Sequence, residues 1–220
     1  MDADGNIGVI ASRSGAAVTV AELRARMPHE DIVVSADHGH PAWPSLRGER
    51  VCARVQTMAQ ELCAGGAKVI VVASLQGTLD GLETARASVP VAVVGLDVQF
   101  AVQRVLTMAP GRPVAIVAVP ASARAPQLQG VLKRVRSGGM DVLDPDAGAY
   151  LGYGGLVLAG AATSERSAEI AAAATPGTVV VDTAAVAAAQ AHRLIARSAA
   201  LARRRRPGRT VLQSSFPARA

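Results

Sequence analysis

The densest chemical stretch in this chain is ADHGHPAWP, from Ala36 to Pro44. Asp37 stands beside His38 and His40. Imidazole titrates near neutrality and a carboxylate can orient it, so the three read as an acid/base group. His38 and His40 also read as two metal ligands. No third ligand follows at a recognisable spacing, however, and His29 and His192 are poorly placed, so no metal is expected. The plain alternative is a surface loop in which Trp43 plugs a gap. A second stretch, VIVVASLQGT from Val69 to Thr78, ends an apolar run in Ser74, Gln76, Gly77 and Thr78. Ser12 and Ser14 stand with Arg13 and Gly15 ahead of another helical segment, and Asp97, Ser122 and Thr163 fall in comparable loops further on. A helix start offers unpaired backbone N–H groups and the positive end of a dipole, which suits a carboxylate or a phosphate. Ser and Thr there equally serve as ordinary N-caps.

Short Val/Ile-rich runs must position these residues. Strands are expected at Ile7–Ile10, Asp31–Ser35, Val69–Val72, Val91–Val94, Val114–Ala118, Gly155–Ala159 and Thr178–Asp182, with Met140–Leu143 a weaker eighth. Their apolar residues are continuous rather than alternating, as in parallel strands covered on both faces. Helical segments separate them: around Val18–Met27, at Ser45–Ala64 with Val51, Val55, Met58 and Leu62 at helical spacing, around Leu79–Ala87, and at Ala184–Arg205. NIGVIAS (Asn6–Ser12) is echoed by RPVAIVAVP (Arg112–Pro120), and VIVVASLQG (Val69–Gly77) by LVLAGAAT (Leu156–Thr163). The pattern implies a duplicated α/β unit with a break near Asp97–Arg112. We expect residues 1–97 and 98–183 to form two halves, helix 184–205 to complete the first, and 206–220 to be a flexible tail. Ligands bind beyond the carboxyl ends of parallel strands. The loops Ala11–Gly15, Ala36–Pro44, Ser74–Thr78, Gly95–Gln99, Val119–Arg124 and Gly160–Ser164 are therefore expected to converge.

The charge excludes less than it first suggests. The net charge of +6 comes from Arg203, Arg204, Arg205, Arg206, Arg209 and Arg219; removing these six from 23 basic residues leaves 17, matching the 17 acids. No aromatic residue interleaves with the arginines of RRRRPGRT, Arg203 to Thr210, so nucleic acid is not the expected partner. The acidic start MDADGN lacks a signal-peptide pattern, and no uncharged apolar run approaches the roughly 20 residues a membrane helix needs. Cys52 and Cys63 lie on one face of a single predicted helix, too far apart to bridge, and read as small core residues in a reducing cytoplasm.

In order along the chain, these segments resemble the aspartate/glutamate racemase superfamily, and glutamate racemases most closely. IGVIASRSGAAVTV (Ile7–Val20) is similar to that family's Ile-Gly-Val-Phe-Asp-Ser-Gly-Val-Gly-Gly-Leu-Thr-Val. MPHEDIVVSAD (Met27–Asp37) resembles its Leu-Pro-x-Glu-Asp-Ile strand leading into an aspartate, and GAKVIVVAS (Gly66–Ser74) its strand ending in Ala-Cys-Asn-Thr. VPVAVVG (Val89–Gly95), PVAIVAVPA (Pro113–Ala121), LVLAG (Leu156–Gly160) and VDTA (Val181–Ala184) follow the later strands. The resemblance implies an α/β protein of two flavodoxin-like halves related by a pseudo-twofold axis, with the ligand in the cleft between them. It also implies cofactor-independent proton transfer by one cysteine from each half. Here the first cysteine position falls on Ser74, followed by Leu75 and Gln76. The second falls on Ala161, followed by Ala162 and Thr163. The family's first-loop Asp-Ser becomes Ala11-Ser12 or Ser12-Arg13, and the helical segment usual between Leu143 and Gly155 has no counterpart, which shortens the second half.

A serine hydroxyl is far too weak a base unaided, and Ala161 carries no proton. Two readings follow. The first is a cofactor-independent enzyme performing altered acid/base chemistry (isomerisation, elimination, decarboxylation or cyclisation) on a small carboxylic acid. Its catalytic candidates are Asp37, His38, His40 and Ser74, and its substrate-binding candidates are Ser12, Ser14, Gln76, Gly77, Thr78, Asp97, Ser122 and Thr163. The second is an inactive pseudoenzyme acting as a binding or partner subunit, as a homodimer or beside an active paralogue, since racemases of this family commonly dimerise. Under either, Ser74→Cys combined with Ala161→Cys is expected to leave glutamate racemisation undetectable in a chiral assay, because the polar neighbours of both thiols are gone as well.

Overall fold

In the computed structural model of the chain, residues 5–12, 15–39, 41, 43–135, 140–146, 148 and 150–205 are described. Their apolar runs form two four-stranded parallel sheets. The first holds β1 (Asn6–Ser12), β2 (Ile32–Asp37), β3 (Ala67–Val72) and β4 (Ala92–Gly95) in the order β2-β1-β3-β4. The second holds β5 (Val114–Val117), β6 (Met140–Leu143), β7 (Gly155–Leu158) and β8 (Val179–Asp182) in the order β6-β5-β7-β8. The two orders are the same pattern, so the sequence echo maps β1 onto β5 and β3 onto β7. Every residue of β3, β5 and β7 is buried, which accounts for their almost wholly apolar composition; the exception, Lys68 at the start of β3, is paired with Glu30. Edge strand β2 leaves Val33 and Val34 exposed.

Parallel strands cannot be joined by tight turns, so helices carry the chain back. They are α1 (Ala16–Arg26), α2 (Gly48–Ala64), α3 (Leu75–Ser88), α4 (Val98–Met108), α5 (Pro120–Ala123), α6 (Pro126–Val135), α7 (Ala161–Ser164), α8 (Ser167–Ala173) and α9 (Thr183–Arg205). Val51, Val55, Met58 and Leu62 of α2 are buried at the expected spacing. A short 3-10 turn, Trp43–Ser45, occupies the expected start of that helix. Helix α9 leaves β8 and packs on α1, β3 and β4. One apolar cluster runs through both sheets, joining Val9, Val69 and Val71 to Ile116 and Val157 through Val102 of α4 and Ala187 of α9.

One helix start corrects the sequence reading. Helix α3 begins at Leu75 rather than near Leu79, and takes Gly77 and Thr78 into its first turns. The Ser74 hydroxyl accepts a hydrogen bond from the Gly77 N–H at 3.2 Å and so serves as the N-cap. A glycine inside a helix costs about 1 kcal/mol relative to alanine, but this one is required. A Cβ at Gly77 would lie 2.4 Å from Cζ3 of Trp43.

The second unit is shorter, as the resemblance implies. Where α2 joins β2 to β3, the described residues between β6 and β7 form turns and one isolated bridge, Tyr150 with Ala174. Tyr150 fills the space, packed in a cluster with Ala115, Val117, Leu156, Leu158 and Ile170. Its hydroxyl donates to the Pro145 carbonyl at 2.6 Å. Tyr150→Ala is expected to cost about 3–5 kcal/mol in denaturant unfolding, as for other large aromatic truncations. Tyr150→Phe should cost only about 1 kcal/mol, the worth of one hydrogen bond.

Candidate functional site

The strand order decides which loops meet. The central strands β1 and β3, and β5 and β7, deliver their carboxyl ends to a cavity of about 220 Å³. The described residues lining it are Ser12 and Gly15; Ala73, Ser74, Leu75 and Gln76; Val119 and Ser122; and Ala159, Gly160, Ala161, Ala162 and Glu165. This is the place where strand order reverses in each sheet, the usual position of a ligand crevice. The loops after edge strands β2 and β4 contribute no described residue to it. The expectation that all six loops converge is corrected to four.

The cavity is narrow. A Cβ on Gly15 would lie 2.7 Å from that of Ala161, and one on Gly160 would lie 3.3 Å from that of Leu75. Both glycines also adopt φ values above 100°, which side chains disfavour. The starts of α1, α3, α5 and α7 border the cavity through Gly15, Ser74, Val119 and Gly160. The Gly160 wall is pinned from behind. Thr183 Oγ1 donates to the Leu158 carbonyl at 2.9 Å and accepts from the Gly160 N–H at 3.3 Å, while Ser164 Oγ donates to Asp182 at 2.7 Å.

Of the residues expected to bind or react, Ser12, Ser74, Gln76 and Ser122 line this cavity. The Gln76 amide is also hydrogen-bonded to Asp80, one turn along α3. Ser122 is buried. Gly77 packs on Trp43. Thr78 Oγ1 donates to the Ser74 carbonyl at 2.8 Å and accepts from the Leu96 N–H at 2.9 Å, so it ties α3 to the end of β4. Asp97 caps α4 through the Phe100 N–H at 2.9 Å. Thr78 and Asp97 line a separate groove of about 670 Å³ between α3, α4 and α6. Thr163 donates to the Gly160 carbonyl at 2.7 Å from a buried position. Ser14 and His40 lie outside the described residues, as do the Arg206–Ala220 segment and the side chains of Arg203–Arg205.

Asp37 ends β2, in register with Ser12. Its side chain is buried, and both oxygens are engaged: Oδ2 accepts from Trp43 Nε1 at 2.9 Å and from Arg54 Nε at 3.2 Å, and Oδ1 from Arg54 Nη2 at 2.9 Å. His38 sits exposed in the following turn. Neither residue lines the cavity. Cys52 and Cys63 lie half-buried on α2: Cys63 packs against the apolar cluster beneath that helix, whereas Cys52 donates from its thiol to Thr84 Oγ1 at 3.0 Å. Among the described residues no group of three His, Cys, Asp or Glu side chains is placed to hold a metal, and no helix is long and apolar enough to cross a membrane. Sequence reading missed Glu165, the ionisable side chain among the described residues of the cavity wall. No local pattern marks it; only the turn of α7 brings it there.

No family model matches the chain. Over 91 residues, 41% of its length, it is 35% identical to the glutamate racemase of Methylococcus capsulatus. The matched segment is 34% of that protein, so the chain spans about a third of the length of the curated relative. The fold superposes on a glutamate racemase from Bacillus anthracis with a TM-score of 0.76 at 12% identity, covering 90% of this chain and 84% of that one. It also superposes on the glutamate racemase from Thermus thermophilus in complex with β-chloro-D-alanine, with a TM-score of 0.71 at 18% identity over 90% of this chain and 83% of that one. At such identities the structural likeness speaks for the fold alone.

Asp182, which holds the Ser164 end of the cavity wall, gives the site a pH signature. Burial pushes its carboxyl above the value of a free aspartate, against the pull of the Ser164 hydroxyl and the Ala184 N–H. Above that value the unfolded chain loses this proton first, so the folded state binds more protons and stability falls as pH rises toward the raised folded value. Asp182→Asn is expected to flatten that part of the profile, read from urea midpoints between about pH 4 and 7.

Proposed function

We propose that this chain is a member of the aspartate/glutamate racemase superfamily that holds a small carboxylic acid in the cavity between its two sheets and does not racemise it by a two-thiol mechanism. The observation that carries this reading is the convergence of four central strand ends and four helix starts on one pocket of about 220 Å³. First-turn N–H groups without an intrahelical acceptor favour a carboxylate there, and the hydroxyls of Ser12 and Ser122 and the amide of Gln76 supply further hydrogen bonds. β-Chloro-D-alanine, bound by the Thermus protein, belongs to this chemical class. The small volume and the Leu75, Val119 and Ala161 walls favour a compact acid with an apolar flank.

Racemisation by two bases needs a proton carrier on each face of the reacting carbon. Here Ala161 and Ala162 carry none, and the Ser74 hydroxyl is the cap of α3. Glu165 supplies the remaining carboxylate, so proton transfer in this pocket is one-sided, as in an isomerisation, elimination, decarboxylation or cyclisation. A second reading, a binding or partner subunit without turnover, draws support from the internal bonding of Ser74 and Asp37. A thermal-shift panel of amino acids, dicarboxylates and aromatic acids, followed by proton NMR of each stabilising acid in deuterated buffer, separates the two. We expect at least one compact acid to stabilise the protein and to exchange or react. Glu165→Gln should keep binding but lose at least about a hundredfold in rate, the scale of a general base. A ligand that binds without exchange or conversion supports the second reading. Stabilisation by no acid overturns the carboxylate site.

A further inference from the structure

We infer that Asp37 is a positioning residue: acting through Trp43, it sets the first turn of α3 and thereby the place of Ser74 and Gln76 in the cavity. The relay is a chain of short contacts. Arg54 of α2 grips the Asp37 carboxylate with two N–H donors at 3.2 and 2.9 Å, and the same carboxylate accepts the Trp43 indole N–H at 2.9 Å. Trp43 is fully buried, with the Asp37 bond fixing the rotation of its ring. The ring edge lies against Gly77 so closely that a Cβ there would meet Cζ3 at 2.4 Å and Cε3 at 3.1 Å. Gly77 in turn donates its N–H to the Ser74 hydroxyl at 3.2 Å. The turn that carries Ser74, Leu75 and Gln76 into the cavity therefore rests on the indole.

A purely apolar plug would fill this space without an ion pair. A buried carboxylate is costly unless its oxygens are satisfied, and here the satisfying groups are the ones that orient the ring. Because the contact with Gly77 leaves no spare room, a small rotation of the indole must displace the α3 start. The relay also joins both walls of the pocket on the first sheet's side, since Asp37 pairs in register with the cavity residue Ser12. Trp43 is the single tryptophan of the chain, so its emission reports on this one contact.

The link from Asp37 to the α3 start needs no ligand to be tested; its effect on binding rests on the reading of the cavity as a carboxylate site. Amide hydrogen exchange of the unliganded full chain tests the relay itself. Asp37→Asn, and separately Trp43→Phe, should speed exchange at Gly77 and Thr78, whose N–H groups bond to Ser74, at least tenfold. The start of α4 should stay unchanged. Ile170→Ala, a core truncation in α8, serves as the control, lowering stability without singling out the α3 start. Unchanged exchange at these amides in folded Asp37→Asn or Trp43→Phe protein overturns the relay. Where Asp37→Asn does not fold, Trp43→Phe decides alone, since it removes both the indole N–H that Asp37 accepts and the ring edge that meets Gly77. In titrations with D-glutamate, L-glutamate, malonate and phenylacetate, the stabilising acid should shift Trp43 emission of the wild type and bind Asp37→Asn at least tenfold more weakly, with Ile170→Ala within twofold of wild type. Wild-type affinity in Asp37→Asn overturns the binding role. Accelerated exchange with no acid bound by the wild type leaves the relay standing and removes the carboxylate reading.

Discussion

All eight strands of the described structure run parallel within their sheets, and most of what this protein presents follows from that constraint. Parallel strands oblige the chain to return through a crossover after each strand, and they put every carboxyl end of a sheet on the same side. The order β2-β1-β3-β4, repeated as β6-β5-β7-β8, then sorts the loops. Ends of central strands face one another across the cavity, and ends of edge strands fall outside it. Burial on both faces makes the central strands almost purely aliphatic, so polar groups enter the site only where a strand stops and a helix begins.

The same sorting explains the division of labour among the polar residues. Ser74 is both the last polar group of a strand end and the cap of α3, so its hydroxyl is committed to holding a backbone turn. Asp37 follows an edge strand, and its carboxylate meets Arg54 from α2 and the indole of Trp43 instead of the cavity. Asp182 and Thr183, at the end of the edge strand of the second sheet, act from behind the wall, through Ser164 and Gly160. Residues that look reactive in one dimension thus become the frame on which the pocket is mounted. Glu165 reaches the cavity wall through a turn that no sequence pattern announces.

The shortened second unit shows how a missing element is compensated. Without a helix between β6 and β7 among the described residues, one face of β5 and β7 would lack cover. Tyr150 and Ile170 occupy that face, and the tyrosine hydroxyl finds a carbonyl partner at 2.6 Å. A large aromatic with a polar tip suits the role, since it supplies area to the core while its oxygen remains bonded.

Much of the fold was legible in the residues alone. Continuous Val/Ile runs specify parallel strands, doubly covered at the centre of each sheet though not at edge strand β2; the helical spacing of Val51, Val55, Met58 and Leu62 specifies α2, and the paired echoes specify a duplicated unit. The start of α3 was not legible, because the choice between Leu75 and Leu79 depends on the packing of Trp43 against Gly77, 34 positions along the chain. Nor was the membership of the site. Whether a strand lies at the centre or the edge of a sheet is set by pairing between distant segments, so only the tertiary structure brings Ser12, Ser74, Ser122 and Glu165 to one cavity and turns Asp37 toward Arg54 and Trp43.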